Sequence, residues 1–328
     1  MRSKIFFRFE TDFNVGLGHA IRSLRVANFL KKKNFIVNII TSKKSYNTLK
    51  TLKVHNIKII LIDKTTNNLK DANLTLKEIN KNSKNEKIYI FKDNYHLNLT
   101  WDKTIRKKFK NLIILDDFLT KKHDCKIYIN FNPYTKKDIK YKNKATKYLI
   151  GLKYFPNVKR IKKPPLNFLC LIYFGGSDKF NYSLKILKIL KNIEFSNTKF
   201  LFILSKFNQK KNLIKKLIER DKNFKIIESF KNMNNIYSKV SHVIGTGGTT
   251  LWEIISNNIY PLIIPTHNNH FKPCKFLSKR KRILLIKNFK NHKKISDYLQ
   301  SIPKKVNNTQ IIDNNGLTRI FRVINETK

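Results

Sequence analysis

The sequence predicts an α/β protein made of two doubly wound, parallel-sheet domains. Three observations carry this. Short apolar runs alternate with longer stretches of helical spacing. The alternation breaks once, at a basic segment bounded by prolines, and then restarts. Each half also places glycine-rich turns directly after strands. A chain of 328 residues with 41% hydrophobic content has the length for two domains and the apolar side chains for two cores.

In the first half, strands are predicted at 5–9, 35–40, 57–62, 87–91, 112–115 and 127–130. Helical spacing runs from Ala20 to Lys33, with Ile21, Leu24, Ala27 and Leu30 or Lys31 recurring every three to four residues. P-N-V-K-R-I-K-K-P-P at 156–165 reads as a linker. In the second half, strands are predicted at 167–174, 200–204, 224–228, 242–245, 262–265 and 283–286. No sequence repeat links the halves. The expected domains are therefore 1–155 and 166–307. A final helix within 308–328, carrying Ile311, Ile312, Leu317, Ile320 and Val323, is free to pack on either. Two such domains on a short linker predict a cleft, with ligands outside the carboxyl ends of the strands.

Composition bounds the function. No apolar run approaches the roughly 18 residues that a membrane span needs. The N-terminal stretch lacks the pattern of a secretory signal. Cys125, Cys170 and Cys274 stand far apart, forming neither a disulfide framework nor a metal spacing. A soluble, reduced, cytoplasmic protein is expected. With no conspicuous apolar surface helix, a monomer is the expected state. The net charge of +48 suggests a nucleic-acid partner. Its distribution argues against one: only 11 of the 69 basic residues are Arg, and the lysines are spread over every segment. Lys, Asn, Ile and Phe are enriched together, and all have A/T-rich codons. No specific nucleic-acid partner is expected, only weak contact with polyanions or anionic lipid surfaces.

Three glycine turns are candidate anion sites. The first is Gly16-Leu17-Gly18-His19, at a strand-to-helix turn where free N–H groups and the helix dipole suit a phosphate. His19 stands at the helix start, expected to face the cleft, where the dipole favours the neutral base. Arg22, one turn on, either faces the same way or is a solvated charge. The second is Gly175-Gly176-Ser177-Asp178, with backbone N–H groups and a hydroxyl for an anion and Asp178 expected as a helix cap. The third, Gly245-Thr246-Gly247-Gly248-Thr249-Thr250, is the strongest. Glu253 lies one turn into its helix, either bonding ribose hydroxyls or stabilising the dipole; Trp252 is expected in the core. None of the turns matches GxGxxG with a downstream acid or GxxxxGK[ST], and no metal-ligand spacing occurs. Neither a cofactor nor a metal is expected.

Six ordered blocks extend this picture: R-F-E-T-D-F-N-V-G-L-G-H-A-I-R (8–22), D-N-Y-H-L-N-L-T-W-D (93–102), L-D-D-F-L-T-K-K-H-D-C-K-I-Y-I-N (115–130), F-G-G-S-D-K-F-N (174–181), T-G-G-T-T-L-W-E (246–253) and H-N-N-H (267–270). Over residues 5 to 275 the chain resembles the UDP-2,4-diacetamido-2,4,6-trideoxy-β-L-altropyranose hydrolases of pseudaminic acid biosynthesis. That family has the GT-B fold and is related to the glycosyltransferase that makes lipid II. The resemblance implies a GT-B-like pair of Rossmann-like domains and a UDP-sugar substrate. It implies His19 as the residue that activates water and Tyr95 beside the sugar. It places Gly247, Gly248, Thr249 and Glu253 on the UDP diphosphate and ribose, and Asn268 near the sugar or phosphates. Three residues depart from the family pattern: Glu10 for aspartate, Asn269 for glutamine, and Asn258 for a helix-ending glycine.

The expected reaction is hydrolysis at the anomeric C1–O bond with inversion. Glycine turns would stabilise the departing diphosphate, and His19 would act as general base. The alternative is a glycosyltransferase using the same donor. Asp93 is expected to orient Tyr95 or cap the next segment, Asp116 and Asp117 only to support the site, and His123 and Cys125 to pack structurally.

Overall fold

The computed structural model describes residues 3–11, 17–52, 54, 56–139, 144–156, 169–176, 178–194, 198–228, 233–303 and 312–326. They form two compact units, one made of 1–156 with 315–328 and the other of 157–314. The basic segment read as a linker lies outside the described residues from 157 onward.

The first unit holds β1 (Ser3–Phe9), α1 (Gly18–Lys32), β2 (Ile36–Thr41), α2 (Lys43–Thr51), β3 (Lys58–Leu61), α3 (Asn68–Lys81), β4 (Lys87–Asp93), α4 (Leu99–Lys108), β5 (Leu112–Leu115), β6 (Asp124–Asn130) and β7 (Lys144–Ile150). Its sheet is parallel throughout, in the order β3-β2-β1-β4-β5-β6-β7. The strand order reverses between β1 and β4, whose last residues, Phe9 and Asp93, stand side by side.

Strand alternation sends successive side chains to opposite faces. Ile88 and Ile90 join Phe6, Ile40, Ile114 and Tyr128 under Ile79 of α3 and Trp101 and Ile105 of α4. Each fully buried aliphatic side chain there contributes roughly 1.5–3 kcal/mol relative to an exposed one. The same face holds charge. Lys92 bonds the Asp102 carboxylate and, at 3.1 Å, the Leu97 carbonyl, and it lies 5.4 Å from the Trp101 ring. His123 Nδ1 bonds the other Asp102 oxygen at 2.9 Å. Burial opposes the charged imidazole, but bonds to Asp102 and Asp116 outweigh it and raise the His123 pKa. Cys125 is buried and its thiol is pushed upward by burial. Both residues are thus structural, as the sequence suggested.

The second unit holds β8 (Leu169–Tyr173), α5 (Tyr182–Leu190), β9 (Lys199–Ile203), α6 (Lys211–Ile218), β10 (Phe224–Ile227), α7 (Asn234–Tyr237), β11 (His242–Gly245), α8 (Thr249–Ser256), β12 (Leu262–Ile263), α9 (Asn268–Lys279), β13 (Leu284–Leu285) and α10 (His292–Gln300). Its parallel sheet runs β10-β9-β8-β11-β12-β13, so both units share one winding despite the absence of a sequence repeat. Ile172, Phe202 and Ile244 pack under α5, α6 and α10 on one face. Leu171, Leu201, Ile203 and Val243 pack against Tyr237 and Ile254 on the other. Helices therefore cover both faces.

The final helix, α11 (Gly316–Glu326), belongs to the first unit and settles the alternative that the sequence left open. Phe321 packs edge-on against Phe29 and Phe35, and Arg319 donates to the Lys153 carbonyl at 2.8 Å. No helix among the described residues is long and apolar enough to cross a membrane.

Candidate functional site

In the first unit the candidate residues gather at the carboxyl end of the sheet, where its strand order reverses. His19 is the second residue of α1 and is 7% exposed. The buried face of α1 carries His19, Ala20, Arg22, Ser23, Val26, Ala27 and Leu30. The expected stripe through Ile21 and Leu24 is rotated by about one residue, and both side chains are only half-buried. Polar bonding explains the rotation. Arg22 Nε and Nη2 bond the two oxygens of Asp93 at 2.7 and 2.6 Å, and Ser23 Oγ donates to the same carboxylate at 2.9 Å.

Arg22 is thus buried and not a solvated charge. Protein carboxylates hold its guanidinium: Asp93 through Nε and Nη2, and Asp117 through Nη1 at 2.6 Å. Asp93 is also corrected: it caps no helix but ends β4 beneath His19, with Nδ1 and Oδ1 2.5 Å apart. Burial opposes ionisation of Asp93, yet the charges of Arg22 and then His19 hold it well below the usual carboxylate range. A carboxylate so ionised only accepts, so the bond to His19 runs from the ring Nδ1–H to Asp93 and leaves Nε2 as the ring nitrogen that faces away from it. No described residue bonds Nε2.

Tyr95 stands edge-on to His19 with ring centroids 4.3 Å apart and packs on Phe118 at 4.7 Å. Its hydroxyl donates to Asp117, two residues past β5. Burial first, then the Asp117 charge, push this phenol well above its ordinary pKa. Lys121 bonds the Tyr95 carbonyl, and its ammonium lies 5.9 Å from the Tyr95 ring. Asp116 instead accepts from Tyr128 at 2.9 Å and from the Phe118 N–H at 3.0 Å. Glu10 turns toward α2, bonding Arg8, Ser42 and Ser45. Gly18 opens α1 and is half-buried; Gly16 lies outside the described residues.

The second unit sets its glycine turns after the adjacent strands β8 and β11, at its own reversal point. Gly175 has φ of +91°, the left-handed region where a side chain would be strained. Ser205 bonds the Gly176 carbonyl; Ser177 lies outside the described residues. Asp178 accepts the Tyr182 and Ser183 N–H groups at 2.8 and 2.9 Å and thereby caps α5, its expected role.

Gly248 is the N-cap of α8, and Thr249 is its first residue. Glu253, one turn on, is 5% exposed and accepts from the Tyr237 hydroxyl at 3.2 Å. Trp252 is buried. Asn258 follows this helix with φ of +60°, the conformation that the departure from glycine required it to tolerate. Gly247 answers a packing need: a Cβ there would stand 2.5 Å from Cys274 Sγ and 2.9 Å from His270 Cβ. Gly247→Ala should therefore destabilise the turn against α9 by about 1–3 kcal/mol, read as a lowered melting temperature. Asn268 and Asn269 begin α9, the first exposed and the second half-buried. The candidates thus form two sets, one at the reversal point of each sheet.

Sequence reasoning missed Asp93 as the partner of His19, Asp117 as the partner of Tyr95 and Arg22, and Ser23. An acidic residue closing a buried strand, as in F-K-D at 91–93, is the signal that marks Asp93. Among the described residues no group of three or more His, Cys, Asp or Glu side chains could hold a metal ion.

No protein-family model matches the chain. It is 27% identical over 288 residues to the uncharacterized protein MJ1062 of Methanocaldococcus jannaschii, covering 83% of this chain and 57% of that one. This chain therefore spans a little over half the length of its curated relative. Among solved structures it is similar to Acinetobacter baumannii MurG, with a TM-score of 0.70, 14% identity, and coverage of 99% and 100% of the two chains. It is also similar to the UDP-GlcNAc 2-epimerase from Neisseria meningitidis bound to UDP-GlcNAc, with a TM-score of 0.61, 13% identity, and coverage of 98% and 100%. Two parallel-sheet, Rossmann-like units with these neighbours give the chain a GT-B-like fold.

Proposed function

We propose that this chain is an enzyme that acts on a UDP-linked sugar, hydrolysing the anomeric C1–O bond and releasing UDP with inversion. The proposed sugar is of the 2,4-diacetamido-2,4,6-trideoxy class, and the proposed setting is nonulosonic acid biosynthesis. One observation carries the reading: the buried His19–Asp93 pair, in which the carboxylate holds the imidazole through Nδ1 while Nε2 bonds no described residue. Such a pair suits general-base attack by water. The resemblance of the six sequence blocks supplies the substrate class, and the Neisseria neighbour, which binds UDP-GlcNAc, shares the fold.

In this proposal the second unit holds UDP. Gly175, Gly176 and Ser177, with Gly247, Gly248 and Thr249 at the start of α8, bind the diphosphate, and Glu253 binds the ribose. Asn268 and Asn269 bind near the sugar. Negative charge growing on the departing diphosphate meets N–H groups fixed before the reaction begins. Tyr95 lies beside the sugar, while Arg22 acts from behind by keeping Asp93 ionised.

Transfer is the second reading. A base that takes a proton from water also takes one from a sugar or lipid hydroxyl, so the same pair favours a glycosyltransferase equally. Incubation with the UDP-sugar and no acceptor separates the two, followed by ³¹P and ¹H NMR. Hydrolysis yields UDP and free sugar with inverted configuration at C1. An intact UDP-sugar rejects hydrolysis, and turnover only with an added acceptor establishes transfer.

A further inference from the structure

We propose that Asp117 is a positioning residue that fixes Tyr95 as a hydrogen-bond acceptor beside His19, so the substrate group meeting the phenolic oxygen is a donor, a hydroxyl or an amide N–H. This rests on the UDP-sugar reading and deepens the same site.

The polarity follows from proton counting. Asp117 Oδ2 lies 2.6 Å from Arg22 Nη1, an ion pair, so this carboxylate only accepts. The Tyr95 hydroxyl bonds the same oxygen and must therefore be the donor. A phenol has one proton, and here it is spent on Asp117, leaving only lone pairs for other partners. Arg22 Nη2 donates to one of these lone pairs in a long bond of 3.5 Å, which fits the acceptor role, and the other lone pair is left for a substrate donor. Asn132 Nδ2, at 3.4 Å, holds the other Asp117 oxygen.

The charged and titratable groups around Tyr95 are Asp117 and Lys121 beyond β5, His19 and Arg22 of α1, and Asp93 of β4. Burial and the Asp117 charge both oppose loss of the phenolic proton. Tyr95 therefore neither delivers nor releases a proton; it orients. Without Asp117 the hydroxyl is free to rotate and offer its proton to the substrate, which reverses the bond that the site is built to make.

The test compares the full-length wild type with D117N, Y95F and the double variant. In water, NMR of the wild type should show a slowly exchanging, downfield hydroxyl proton that is lost in Y95F and shifted or lost in D117N. D117N should lower kcat about 10²-fold, the scale of a misplaced contact, with UDP affinity by calorimetry unchanged. The double variant should lose much less than the two single losses combined, because the two residues share one bond; the remainder beyond Y95F reports the second Asp117 partner, Arg22. Additive losses, a D117N enzyme with wild-type kcat, or no protected hydroxyl in the wild type would each overturn the proposal. D117E, which keeps the carboxylate, should recover part of kcat and carries the test if D117N fails to fold. A wild type that turns over no UDP-sugar defeats the functional reading, and the hydroxyl resonance still decides the role of Asp117.

Discussion

Replacing His19 by alanine is expected to lower turnover of the UDP-sugar by about 10²–10⁴-fold while leaving UDP affinity nearly intact. The fold should survive the change. Asp93 keeps two bonds from Arg22 and one from Ser23, so removing the imidazole leaves no bare buried carboxylate. The loss then falls on proton abstraction. UDP release measured against calorimetric UDP binding checks the split. A large fall in UDP affinity would mean that the ring serves the nucleotide and that the base lies elsewhere.

The second large effect is on stability. Asp102→Ala should cost about 3–5 kcal/mol, read from urea denaturation, because it strands a buried cation. The Lys92 side chain is 1% exposed, and Asp102 is its only carboxylate partner among the described residues. His123 loses the same anchor. Changing Lys92 to methionine in the Asp102→Ala background should recover part of the loss, since it removes the uncompensated charge and keeps the bulk. If the two single changes simply add, the buried pair is not the source. Lys92 precedes Asp93 on β4, so this ion pair lies across the sheet from the residue that holds His19.

Most of the architecture is legible in the sequence because parallel strands buried on both faces leave nearly continuous apolar runs. The strand that escapes notice, β7, is the edge of its sheet. Lys147 and Thr146 there are exposed, so K-A-T-K-Y-L-I lacks the apolar density of its neighbours. The site divides in the same way. His19 and Tyr95 are marked by local context, a helix start and a motif, and the structure brings their rings together. Asp93 and Asp117 are not so marked, because their roles depend on α1, β4 and β5 meeting at one sheet end. Arg22 has the helical spacing of a surface charge until the carboxylates that draw it inward are placed. Gly247 shows the reverse case: the glycine was legible, but its reason, the approach of Cys274 and His270, belongs to tertiary packing.

The return of α11 has a consequence for biosynthesis. The surface of the first unit around Phe29 and Phe35 is covered by Phe321, which leaves the ribosome only after the whole second unit has been made. At translation rates of about 5–20 residues per second this delay is on the order of ten to thirty seconds. Throughout it, the nascent first unit carries an open apolar seam. Truncating the chain before α11 should therefore make it a substrate for holdase chaperones.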